Sequence, residues 1–137
     1  MFESRKLPLI GVKLFITGED YKDFDLDEVT VKLQIEPTRT QKQTILKNGT
    51  VKPTYWFLAL PKIEALGIDD RLNEMRLMLK GKENIIRELC ESRGLCVTFE
   101  VTITTASDEL PEMYITSEFL AFAGELNADI GIAMYLD

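Results

Sequence analysis

Apolar and polar residues alternate over residues 95–105, where Val97, Phe99, Val101 and Ile103 oppose Thr98, Glu100, Thr102 and Thr104. Residues 10–17 repeat the pattern with Val12, Leu14 and Ile16 on one side, and so do Ile130, Ile132, Met134 and Leu136 near the end. A period of two marks a strand with one buried and one wet face. Residues 54–60 are almost wholly apolar, hold the sole tryptophan, and predict a buried strand before a linker or short helix at 61–68.

Helical spacing appears elsewhere. Asp25 stands at an N-cap position, Glu28 three residues on completes a capping-box spacing, and Phe24 and Val29 fit a hydrophobic staple. That helix runs to about Gln34, burying Leu26, Val29 and Leu33, and stops before Pro37. Leu72, Met75 and Leu79 predict a helix from about Asp69 to Lys80. Gly81 separates it from a segment carrying Ile85, Ile86, Leu89 and Cys90, which Gly94 closes. A last helix starts at a Ser117 cap, buries Leu120, Ala123 and Leu126, and stops at Asn127. Residues 38–53 are polar and basic around an Asn48-Gly49 turn, a hairpin signal. An acidic loop at 106–111 and a short strand at 112–116 complete the reading. Strands and helices mix without strict alternation. The expected class is therefore α+β, one domain over residues 1–137, with a largely antiparallel sheet of about six strands and helices packed on one face.

Charge sharpens this picture. The 137 residues carry a net charge of −7, so phosphate backbones are repelled and nucleic acid is not an expected partner. The sixteen basic residues all lie at or before Arg93 beside fifteen acids, a net +1, whereas residues 94–137 hold eight acids and no base. Residues 29–62 carry six bases against Glu36 alone. The longest apolar run is six residues, against roughly 20 for a membrane-spanning helix, so no membrane partner is expected. Residues 1–6 do not resemble a secretory signal, which points to the cytoplasm. Cys90 and Cys96, the only cysteines, read as small core hydrophobes in a reducing compartment.

The catalytic vocabulary is thin. There is no histidine, the commonest general base and metal ligand. Asp23, Asp25 and Asp27 alternate like the start of a calcium loop, but Glu28 and Gln34 occupy the positions that need glycine and glutamate. Gly81-Lys82 is followed by Glu83 and is no phosphate loop. Neither a metal nor a cofactor is expected.

The stretch from Phe24-Asp25-Leu26-Asp27-Glu28-Val29 into Gln34-Ile35-Glu36-Pro37-Thr38-Arg39-Thr40 resembles the bacterial domain of unknown function 4279 family. The likeness continues through the basic loop to Trp56-Phe57-Leu58, Ser117-Glu118-Phe119-Leu120 and residues 130–136. It implies an α+β domain and supplies no catalytic residues. Relatives of this type look like part of a repertoire that includes immunity proteins of toxin systems.

The expected function is thus non-enzymatic binding by an immunity-type inhibitor of a protein toxin. Asp108, Glu109, Glu112, Asp20 and Asp23 are the acids that would meet a basic partner and speed association. The alternative is a sensor of a small anionic ligand held by Arg39, Lys42 and Trp56. A carboxylate-dependent enzyme is the third reading.

Overall fold

The computed structural model describes residues 7–106 and 110–136. Strand β1 (Leu9–Gly18) leads through a 3-10 turn (Glu19–Tyr21) to helix α1 (Leu26–Leu33). A short strand β2 (Arg39–Gln41) and a ribbon of β3 (Thr44–Ile45) and β4 (Val51–Lys52) precede the long β5 (Tyr55–Glu64). Helices α2 (Ile68–Met78) and α3 (Glu83–Arg93) lead to β6 (Leu95–Thr105), and α4 (Ser117–Glu125) to β7 (Asp129–Leu136).

The class is α+β, but the strands divide into a five-stranded sheet, β2-β5-β1-β6-β7, and the separate β3-β4 ribbon. The sheet is mixed. β1, β5, β6 and β2 pair antiparallel, whereas β7 runs parallel to β6 after the α4 crossover. The alternation read from the sequence holds. Ile10, Val12, Leu14 and Ile16 of β1 join Trp56 and Leu58 of β5 and Val97, Phe99, Val101 and Ile103 of β6 on one face. All four helices bury their apolar stripes in that same core, among them Val29, Leu72, Ile86 and Phe119.

Local chemistry sets the helix ends. The Asp25 carboxylate accepts from the backbone N–H of Asp27 (3.0 Å) and Glu28 (3.3 Å), as expected of the cap. Glu28 does not return the favour to the cap. Its carboxylate takes the Arg93 guanidinium at 2.7 and 3.0 Å, fastening α1 to α3. Gly94 and Asn127 adopt left-handed angles at the ends of α3 and α4, the conformation that ends a helix.

Several expectations change. Residues 112–116 form no strand; Glu112 makes only a single bridge to Gly67. Thr116, not Ser117, caps α4, accepting from Phe119 N–H at 3.1 Å, and the helix buries Phe119 and Phe122 while Leu120 is exposed. Cys96 is exposed rather than in the core, and Cys90 is only half-buried. Residues 61–64 are not a linker, because β5 continues through Pro61 across a register shift opposite Gly11. Among the described residues no helix is long and apolar enough to cross a membrane.

Candidate functional site

The second face of the sheet carries no helix. Its outward positions are Lys13 and Phe15 on β1, Tyr55 and Phe57 on β5, Thr98, Glu100 and Thr104 on β6, and Tyr135 on β7. Phe15, Tyr55 and Phe57 form a cluster with ring centroids 5.0–6.1 Å apart. Beside it lies an open groove of about 440 Å³, lined by Gly11, Lys13, Ala59, Pro61, Lys62, Glu100, Thr102, Thr104 and Tyr135.

The bulge in β5 shapes this groove. Val12 pairs with Leu60 and Ile10 with Ile63, so Pro61 and Lys62 together oppose the single residue Gly11. Simple alternation from Trp56 and Leu58 would turn Lys62 toward the core. The extra residue turns it out instead. Gly11 then clears its path: a Cβ there would stand 3.1 Å from Lys62 Cγ and 3.1 Å from the Leu60 carbonyl oxygen. Lys62 lies across β1, donates from Nζ to Thr104 Oγ1 at 2.9 Å, and rests 5.4 Å from the Tyr135 ring centroid.

A buried arginine holds the bulge from the other side. Arg71, only 3% exposed, donates from Nε to the Ile10 carbonyl at 3.1 Å and from its terminal nitrogens to the Pro61 carbonyl and, at 2.8 Å, to Glu74. Proline has no N–H to leave unpaired, and Arg71 takes up its carbonyl.

Two cations therefore converge on the groove without a carboxylate partner. Lys13 leans over Phe57, 5.0 Å from its centroid, although Glu100 is its cross-strand neighbour on β6. Neither Lys13 nor Lys62 makes an ion pair among the described residues. Cation–π contacts hold such amines loosely enough for an anion to displace them. No group of three or more cysteine or acidic side chains among the described residues is placed to share a metal ion.

Among the described residues, those expected from the sequence do not assemble. Asp108 and Glu109 lie outside the described residues. Asp20 follows the last residue of β1, whereas Glu112 bridges to Gly67 near its first, so a ten-residue strand, roughly 30 Å, separates them. Asp23 is engaged, accepting hydrogen bonds from Thr54 Oγ1 and from Lys42 Nζ at 3.1 Å. Those contacts, Thr54 foremost, hold its carboxyl below the ordinary value of 3.8. Lys42 also donates to the Phe24 carbonyl at 2.8 Å. Trp56 is fully buried, its Nε1 donating to Thr30 Oγ1 at 3.0 Å. Arg39 pairs with Phe57 and so lies on the open face of the sheet, away from the buried Trp56. The trio Arg39, Lys42 and Trp56 thus cannot surround one ligand. The wet positions of β6 were visible in the sequence; Lys13 was visible as a neighbour of Val12 and Leu14; Lys62 was hidden by the bulge.

These features define an α+β domain whose helices cover one face of a mixed sheet and leave a cation-bearing groove on the other. The chain belongs to the family whose model is described as a domain of unknown function, DUF4279, matched over residues 8–137. No curated protein and no solved structure matches it.

Proposed function

We propose that this protein is a non-catalytic binding protein that holds a small anionic molecule in the groove on the open sheet face. The observation that carries the reading is the convergence of Lys13 and Lys62 on one groove, neither of them in an ion pair among the described residues. Two amines that share one concave, polar site favour an incoming carboxylate or phosphate. Thr104, whose oxygen accepts from Lys62, keeps its hydroxyl proton to donate, and the Tyr135 ring offers a wall for a flat ligand. Glu100 disfavours a bare polyanion and suits a ligand that also carries a hydrogen-bond donor.

The immunity-type inhibitor has less support. Of its acids within the described residues, Asp20 and Glu112 lie toward opposite ends of β1, and Asp23 is occupied by Lys42 and Thr54.

Thermal-shift measurements with inorganic phosphate, citrate and adenosine 5′-monophosphate test the groove. A bound anion at a hundred times its dissociation constant adds about 2.7 kcal/mol of stability. Stabilisation by at least one probe is expected, and Lys62→Gln and Lys13→Gln are each expected to reduce it at unchanged far-UV circular dichroism. Equal shifts in the wild type and both variants, or none in any, overturn the reading.

A further inference from the structure

The two edges of the sheet are built differently. β2 is three residues long, begins with Arg39, and is preceded by Pro37, the features that discourage another chain from adding a strand. β7 has eight residues and, among the described residues, pairs only with β6. From Ile130 to Leu136 it has no charge and no proline. Its outer row of backbone N–H and C=O groups is open to a further strand, and Ile132, Met134 and Leu136 are 44%, 41% and 64% exposed.

We infer that a second copy of this chain covers this edge. β7 would pair antiparallel with β7 of the copy about a two-fold axis, giving one continuous ten-stranded sheet. Opposed residues in an antiparallel pair share a face, so the axis passes through a residue rather than between two. An axis at Ile132 opposes Ile132 to itself, Ile130 to Met134, Gly131 to Ala133 and Asp129 to Tyr135. Apolar residues meet on the helix-bearing face and the two smallest on the other. Each Asp129 meets a phenol, not a second carboxylate, which would be unfavourable. The arrangement is self-complementary, and it closes at two copies.

Charge tells this partner from a foreign one. Two molecules of net charge −7 repel at long range while the contact strand is neutral, so added salt strengthens the association. A basic partner would be weakened by the same salt. The inference rests on the edge alone, and Tyr135 belongs to both the edge and the groove.

Sedimentation velocity across a concentration series, at low and high salt, gives the first measurement. A concentration-dependent dimer favoured by salt is expected, with Ile132→Lys monomeric at unchanged circular dichroism. Register is tested by disulfide formation in a Cys96→Ser background. Ile132→Cys brings two α-carbons to about 5 Å and cross-links. Met134→Cys leaves them four residues out of register, roughly 13 Å apart, and does not. A wild type that stays monomeric throughout, an open-ended polymer, or cross-linking at 134 in preference to 132 overturns the inference.

Discussion

Asp23 shows how the contacts of one side chain decide its use. In sequence it stands among six acids between residues 19 and 28 and reads as a free surface charge. In the fold it joins the segment before α1 to Thr54 and Lys42 at the base of the ribbon. Because its carboxyl is held below 3.8, the folded chain releases that proton more readily than the unfolded chain. The resulting stabilisation is complete above the ordinary aspartate range and is lost as pH falls through the folded value. Urea midpoints measured from about pH 6 down to pH 2 are expected to fall less steeply for Asp23→Asn than for the wild type. The variant should be weaker at neutral pH, the two converging in acid. Parallel curves would show that the contact carries no stability.

At the scale of the element, β5 depends on a residue of α2. Replacing Arg71 by methionine keeps much of its apolar stem but strands the buried Ile10 carbonyl and the part-buried Pro61 carbonyl at the bulge. A loss of about 2–3 kcal/mol is expected in urea denaturation, the cost of leaving buried polar groups unpaired. The Arg71–Glu74 ion pair adds little, since Glu74 is half exposed. This element also marks where reading the sequence stops. β6 was legible in full, because Leu95 to Thr105 alternate without interruption and each turn is self-explanatory. Pro61 read as a break because proline cannot donate to a ladder. The tolerance for it comes from Arg71, ten residues on, through a contact that no local pattern encodes. Lys62 was lost with it, since one inserted residue reverses which face the following side chains take. The parallel placement of β7 was likewise hidden: Ile130 to Leu136 alternate equally well in either direction, and only the α4 crossover fixes it.

For the whole molecule, order should fall from the middle of the sheet outward. β1 is paired along its length with β5 on one side and β6 on the other, whereas β2 and β7 each have a single neighbour in the sheet. Amide hydrogen exchange is expected to be slowest in β1 and fastest, among the sheet strands, in β2 and the outward-pointing amides of β7. Uniform protection across all five strands would contradict that gradient. The groove sits where this gradient is shallowest, since Gly11 and Lys13 belong to the central strand. The absence of a side chain at position 11 also constrains how this chain can vary. The long amine of residue 62 passes through the gap there, so a methyl group at 11 would crowd its stem as well as the Leu60 carbonyl. A bulkier residue at position 11 is therefore expected to call for a shorter one at position 62, at the cost of one of the two positive charges of the site.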